Sequence, residues 1–177
     1  ILAIIVRGTS AIYKLDMTKN RLTQLTTHKQ GKIDTSPCFS PDGKSIVFTS
    51  DRAGKEARYI MNADGSNQHQ ISMGEGKYSQ PVWSPRSDLI AFAKQVKGKF
   101  YIGVIKPNGS GERLITHGYL VESPAWSSNG RYIVYASQSG PTAKLNIALT
   151  DLTGRYHRLI PTPGDAVSPT WSVTYKN

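Results

Sequence analysis

The sequence has one cysteine, Cys38, among its 177 residues, so it cannot form an intramolecular disulfide. It has no apolar run near the roughly 18 residues that a membrane-spanning helix needs. The longest apolar run, residues 1–6, also lacks the cleavage region of a signal peptide. The sequence therefore predicts no membrane span.

Acidic residues are few, with 12 against 22 basic residues, which gives a formal net charge of +10. This excess favours acidic partners or an anionic surface. The basic residues are scattered along the chain, and no helix-turn-helix, zinc finger or RNP-like segment accompanies them. We therefore prefer a solvated basic surface to nucleic-acid binding as the interpretation of the charge.

Motifs that carry catalysis or bind metals are also missing. The four histidines lack metal-ligand spacing, and no carboxylate pair is suggested by the spacing of acidic residues. Gly109-Ser110-Gly111 lacks the full pattern and the strand-turn-helix setting of a nucleophile loop. No glycine-rich phosphate loop occurs. The sequence therefore predicts no enzyme, no metal site and no cofactor.

The sequence does contain a repeat. A segment with the pattern Ser/Gln-Pro-x-Phe/Trp-Ser returns with its proline at positions 37, 81, 124 and 169, in steps of 44, 43 and 45 residues. A second motif, a strand followed by a turn with glycine at positions 65, 109 and 154, keeps the same phase. A period of about 40–45 residues with several short strands per unit is typical of β-propeller blades.

The predicted fold class is all-β, with about four blades' worth of antiparallel four-stranded sheets. The apolar runs at residues 46–48 and 133–135 are β-branched or aromatic, which favours strands covered on both faces. We divide the propeller, residues 1–177, into a partial blade (1–30), three blades (31–75, 76–118 and 119–163) and a closing strand (164–177). Residues 168–172 are predicted to form that strand. It would pair with residues 1–6 to close a four-bladed ring, or the ring would stay open or exchange strands between chains.

Repeated side chains in the innermost strand have predicted structural roles. The aromatic residues at positions 39, 83, 126 and 171 are interpreted as packing between blades. The serines at positions 40, 84, 127 and 172 are expected to bond to nearby backbone. Cys38 lies inside one such strand and is interpreted as a small buried hydrophobic residue rather than a reactive thiol.

The segments that enter each innermost strand are the candidate functional site. Blade geometry would bring them to one mouth of the central channel, and they differ from unit to unit in charge, size and aromaticity. A rigid ring that presents variable loops is a typical binding surface, although these loops could also be ordinary connections. The predicted partner-binding residues are Asp34, Thr35, Ser36, Tyr78, Ser79, Glu122, Ser123 and Ser168.

The two repeated motifs resemble the propeller repeats of the TolB family of the Tol–Pal system. The resemblance covers the whole chain and is close in residues 39–44, 48–54, 145–147 and 153–155. It implies a piece of a six-bladed propeller, built of WD40-like (PD40) repeats, that is preceded by an α/β domain. By position, Thr35 and Ser36 match a Thr-Glu pair of the family, and Glu122 and Ser123 match an acidic-hydroxyl pair. Ser36 departs from the acidic residue, which puts an ionic contact there in doubt.

The resemblance also implies a function. It points to a non-enzymatic periplasmic protein that binds the peptidoglycan-associated lipoprotein (Pal) and supports outer-membrane integrity, cell division and transport. The resemblance further implies a contact with TolA through an N-terminal region, which we expect to lie outside this sequence. One alternative is the gating propeller of a prolyl oligopeptidase-like serine peptidase, which would need an α/β-hydrolase domain. Another is an anion-binding surface, whose affinity would fall steeply with salt.

Overall fold

The computed structural model describes residues 2–6, 9–27 and 31–172, and the side chains from residue 10 onward within these ranges. The described residues form fifteen antiparallel strands and no helix. The strands are β1 (Leu2–Val6), β2 (Thr9–Asp16), β3 (Arg21–Gln24), β4 (Asp34–Phe39), β5 (Ser45–Ser50), β6 (Ala57–Asn62), β7 (His69–Gln70), β8 (Lys77–Trp83), β9 (Ile90–Val96), β10 (Lys99–Ile105), β11 (Arg113–Gly118), β12 (Leu120–Trp126), β13 (Tyr132–Gln138), β14 (Asn146–Asp151) and β15 (His157–Ile160).

The strands form four sheets, each a meander of consecutive strands. Three sheets have four strands, β4–β7, β8–β11 and β12–β15, and the first has three, β1–β3. Each sheet packs against the next in chain order, chiefly through the innermost strands β4, β8 and β12. This arrangement confirms the predicted all-β propeller architecture.

The prediction of a strand at residues 168–172 is wrong for this structure. Within the described residues no strand pairs with this segment, and it has no strand conformation. Likewise β1 pairs with β2 alone among the described strands, so the proposed four-bladed closure is not formed. The segment nevertheless keeps one feature of the innermost strands, because Ser168 has a φ of 51°.

Each pair of neighbouring sheets encloses its own apolar core. Alternate residues of β5 face opposite sides, so Phe48 packs with residues of the first sheet and Val47 packs with residues of the third. Both are fully buried, which explains why the central strands are apolar at nearly every position. A third core between the last two sheets contains Ile102, Trp126 and Tyr135.

The repeated aromatic residues do pack between sheets. Trp126 is 8% exposed, and its Nε1–H donates across the interface to the Val82 carbonyl at 3.0 Å. Phe39 packs against the core between the first and second sheets, and Trp83 packs against the core between the second and third. Trp171 differs: it follows the last sheet in the sequence, and its side chain is 39% exposed.

The repeated serines bond to nearby backbone, as predicted, in the three complete sheets. Ser40 Oγ accepts from the Ser45 amide at 2.9 Å, and Ser127 Oγ accepts from the Tyr132 amide at 3.0 Å. Ser84 Oγ accepts from the Arg86 amide at 3.2 Å. These hydroxyls close the turn that leads from each innermost strand to the second strand.

The three in-phase glycines sit where neighbouring sheets touch backbone to backbone. Each occupies the turn before an outer strand with a positive φ, which an L side chain rarely adopts. A Cβ on Gly109 would lie 2.8 Å from the Ile71 carbonyl oxygen of the preceding sheet. Corresponding distances are 2.7 Å from Gly65 to the Leu25 oxygen and 2.7 Å from Gly154 to Ile115. The glycine period therefore marks a repeated inter-sheet contact as well as a turn.

Candidate functional site

The innermost strands and the last segment line a central channel. Its cavity of about 350 Å³ is bounded by equivalent residues of the four repeats. These residues are Ser36, Pro37, Cys38, Gln80, Pro81, Val82, Ser123, Pro124, Ser168 and Pro169. The linkers that enter these strands lie at one end of the channel, which we call the mouth; the end with the turns that leave the innermost strands is the far end.

A backbone irregularity repeats where each innermost strand meets the channel. Ser36, Gln80, Ser123 and Ser168 all lie in the left-handed region, with φ between 50° and 54°. Such a conformation is uncommon for residues other than glycine and costs of order 1–3 kcal/mol. In the three paired strands the ladder register shifts at this point, so each strand bulges before its proline. The bulge turns a short stretch of each strand toward the channel instead of toward its neighbour strand.

One side-chain amide links two of these bulges across the sheets. Gln80 Oε1 accepts from the Ser123 amide at 2.6 Å, and Gln80 Nε2 lies 3.3 Å from Ser123 Oγ, to which it donates. Gln80 stands where the other repeats have serine, and its longer side chain spans the gap between β8 and β12. The channel wall is therefore held together at this point by a polar contact.

The structure divides the predicted partner-binding residues into three groups. Ser36, Ser123 and Ser168 come together on the channel wall. Ser79 and Glu122 come together in a second cavity of about 140 Å³ near the mouth, between the third and fourth sheets. Each of these five side chains keeps some exposure to solvent.

The other three predicted residues lie elsewhere. Asp34 is fully buried, and its Oδ2 forms an ion pair with Arg52 Nη2 at 2.9 Å. Tyr78 is also fully buried and donates its hydroxyl to Glu112. Thr35 is half-buried in β4, opposite Thr49. Asp34 and Tyr78 therefore support the mouth from inside rather than facing a partner.

A buried charged cluster behind the mouth was not predicted from the sequence. Arg58 is fully buried between the second and third sheets, with its guanidinium carbon 3.6 Å from the Phe92 ring centroid and 4.2 Å from that of Tyr78. Its Nη2 pairs with Glu112 at 3.0 Å. Burial lowers the pKa of Arg58 to about 10, and the charges of Glu112 and Tyr78 oppose this shift.

Glu112 is the single acid of this cluster and faces two cations. Lys94 Nζ lies 2.7 Å from Glu112 Oε1. Burial alone would raise the pKa of Glu112, but the hydrogen bond from Lys94 and the charges of Arg58 and Lys94 outweigh it and lower the pKa. Burial would lower the pKa of Lys94, yet its bonds to Glu112 and Tyr78 raise it. The cluster is a structural ion network between sheets, since Arg58 has no exposure to solvent.

Other groups with possible chemistry lie apart. Burial raises the pKa of the half-buried Cys38 thiol, whose Sγ lies 3.5 Å from the Phe39 carbonyl. Within residues 2–6, 9–27 and 31–172, histidine, cysteine and acidic side chains do not gather in a group of three that could hold a metal ion. In the same ranges no helix long and apolar enough to cross a membrane occurs.

Consecutive four-stranded sheets around a lined channel define a β-propeller protein. The family model of the TolB beta propeller domain matches residues 1–175. The chain belongs to the TolB β-propeller family.

Relatives and solved structures agree with this assignment. The chain is 42% identical over 211 aligned positions to the Tol-Pal system protein TolB of Gluconobacter oxydans, covering 91% of this chain and 46% of that protein. It therefore spans about half the length of that relative. The crystal structure of TolB from Acinetobacter baumannii superposes with a TM-score of 0.82 at 22% identity, over 95% of this chain and 42% of that one.

Two further structures are similar. A putative TolB from Agrobacterium tumefaciens has a TM-score of 0.76 at 26% identity, over 86% of this chain and 56% of that one. A prolyl endopeptidase structure has a TM-score of 0.66 at 15% identity, over 89% of this chain and 27% of that one. The second likeness is to the propeller fold alone.

Proposed function

We propose that this chain is a non-enzymatic, periplasmic protein-binding propeller of the Tol–Pal system, and that its mouth binds the peptidoglycan-associated lipoprotein. Membership of the TolB propeller family and the 42% identity to a Tol-Pal system protein support the proposal. The wider roles in outer-membrane integrity, cell division and transport would follow from that binding. We assign no TolA contact to the residues of this chain.

The observation that carries the proposal is that partly exposed polar residues come together at the mouth and on the channel wall next to it. Five of the eight residues selected from the sequence line two cavities there. The bulges that present Ser36 and Ser123 are held in a costly left-handed conformation, and such strain is concentrated at binding and catalytic sites. A protein surface could therefore meet a rigid wall whose polar groups are already positioned.

The residues of the wall offer different chemical groups to a partner. Glu122 is partly exposed and forms no ion pair within the described residues, so its carboxylate can accept hydrogen bonds from a partner. Ser36 and Ser123 offer hydroxyls, and Thr35 lies directly beside the first of them. Asp34 and Tyr78 act indirectly, because they hold Arg52 and Glu112 behind the surface.

Calorimetric titration with the soluble domain of the Gluconobacter oxydans lipoprotein tests the proposal, with the full-length TolB relative of that species as a positive control. We expect the chain to bind, and the double variant Thr35→Arg with Glu122→Arg to bind at least about tenfold more weakly, because it puts two long side chains into the contact wall and removes the Glu122 acceptor. Asp88→Arg, an acid-to-arginine change at the far end, is the matched control and should bind normally. Absence of binding by the unaltered chain, or normal binding by a folded double variant, would overturn the proposal.

The two alternatives have different expected results. A gating propeller would be found together with an α/β-hydrolase domain in the complete reading frame. The likeness to a prolyl endopeptidase at 15% identity does not favour that function over any other of the fold. An unspecific anion-binding surface would show affinity that falls steeply with salt for any polyanion.

A further inference from the structure

The linkers that cross the mouth expose large apolar side chains. Met73 is 83% exposed in the linker between the second and third sheets, and Tyr119 is 52% exposed in the next. Val167 is 55% exposed in the linker after the fourth sheet. Each of the three linkers that the structure describes completely therefore presents one such residue at the mouth end.

Isolated exposed apolar residues are normal on proteins, so their arrangement carries the argument. At the far end, Met17 is 82% exposed and Tyr156 is 47% exposed, each in a turn before an outer strand, β3 and β15 respectively. Trp171 is 39% exposed and lines a cavity there with Trp83 and Trp126. The mouth residues instead lie on consecutive linkers, each of which runs from an outer strand to the next innermost strand.

The charges around these linkers have one predominant sign. Five exposed lysines and two exposed acids lie on the linkers and hairpin tips at the mouth end or at the first residue of a strand beside them. They are Lys55, Lys77, Lys97, Lys99 and Lys144, with Glu75 and Asp165. Two of the lysines donate to linker carbonyls, Lys55 to Gly74 at 3.1 Å and Lys144 to Pro163 at 3.1 Å, which places their charge beside the linkers.

None of the five lysines forms an ion pair with another residue in the part of the chain that the structure describes. Their charge is therefore available to a partner. The far end is also basic, so charge does not locate the contact surface. The apolar residues locate it, and the charge then selects the sign of the partner.

We propose that Met73, Tyr119 and Val167 are the central contacts of the mouth with its protein partner, and that the surrounding lysines select an acidic partner surface. This inference rests on the proposed function and adds the contact residues and the chemistry of the partner. An apolar centre with a charged rim is the usual layout of a protein interface. In such interfaces the buried centre governs dissociation, whereas rim charges govern the association rate.

Surface plasmon resonance with the soluble lipoprotein domain tests the apolar centre. We expect Met73→Ser with Tyr119→Ser to weaken binding about tenfold or more, mainly through faster dissociation. The matched control is Met17→Ser with Tyr156→Ser, which removes the same side chains at nearly equal exposure from the far end. The control should bind within about twofold of the unaltered chain, as expected for residues outside an interface.

A second pair of variants tests the role of the lysines that surround the apolar residues of the mouth, which form the rim of the proposed interface. Lys97→Glu with Lys99→Glu should slow association and remove most of its dependence on salt. Lys44→Glu with Lys106→Glu makes the same charge change at the far end and should leave association nearly unchanged at physiological salt, where charges are screened beyond about 8 Å. Vesicles of anionic phosphatidylglycerol are tested in parallel.

The outcomes separate the two proposals. Normal lipoprotein binding by the serine variant of the mouth, or an equal loss in its far-end control, would overturn the inference and leave the proposed function standing. Rim variants that lose vesicle binding but keep lipoprotein binding would also overturn it, since the lysines would then serve a lipid surface. No lipoprotein binding by the unaltered chain would overturn both.

Discussion

Gly109 offers a direct test of how the sheets fit together. In Gly109→Ala, the new Cβ would lie 2.8 Å from the Ile71 carbonyl oxygen, which is backbone and cannot rotate away. The positive φ of 83° costs a further amount, about 1–2 kcal/mol for an L residue in the left-handed region. Overpacking of a tight contact typically costs about 1–3 kcal/mol. We therefore expect Gly109→Ala to lower the free energy of unfolding by about 2–5 kcal/mol.

Gly43→Ala separates these two contributions. Gly43 has a similar φ of 70°, but a Cβ there would meet nothing within 4 Å. This variant should lose only the conformational part, about 1–2 kcal/mol. Urea unfolding followed by tryptophan fluorescence measures both variants, and the difference between them isolates the inter-sheet contact. Equal losses would refute the reasoning, since the Gly109 contact would then have no energetic role.

Further predictions concern the indoles and the buried cluster. Trp126→Phe removes an N–H that donates to a carbonyl of the neighbouring sheet. It should cost about 1 kcal/mol more than Trp83→Phe, whose buried N–H has no hydrogen-bond partner among the described residues; urea unfolding compares the two. Glu112→Gln leaves Arg58 and Lys94 without their shared acid, so we expect a loss of about 3 kcal/mol, measured in the same way. Because the folded pKa of Glu112 lies below its usual 4.5, its stabilising contribution is complete above pH 4.5 and is lost as the pH falls through the folded value. Glu112→Gln should therefore flatten the acid side of the stability profile, whereas an unchanged profile would contradict the assignment.

The strand order was largely predictable because the two repeated motifs recur with the same period and in phase with each other. Proline and glycine mark the turns, and apolar β-branched residues mark strands that are covered on both faces. The segment at residues 168–172 shows the limit of this reasoning. Its sequence is that of an innermost strand, but a strand also requires a hydrogen-bonded neighbour, and none of the described strands pairs with it.

The site was predictable in position but not in detail. Asp34 is polar and begins a strand, so its sequence indicates exposure, yet Arg52 of the hairpin between β5 and β6 in the same sheet pairs with it. Tyr78 and Arg58 are likewise buried through contacts between sheets, which local sequence does not specify. The apolar residues of the linkers were visible in the sequence, but their exposure depends on how the linkers cross the mouth.

Hydrogen exchange of the complex with the lipoprotein domain tests the central claim most directly. Binding at the mouth predicts new protection in the linkers and the strand residues next to them, at residues 71–77, 118–120 and 161–168, and unchanged exchange in the far-end turns at residues 40–44, 84–89 and 127–131. Protection confined to the far-end turns, or to the outer strands, would contradict the account.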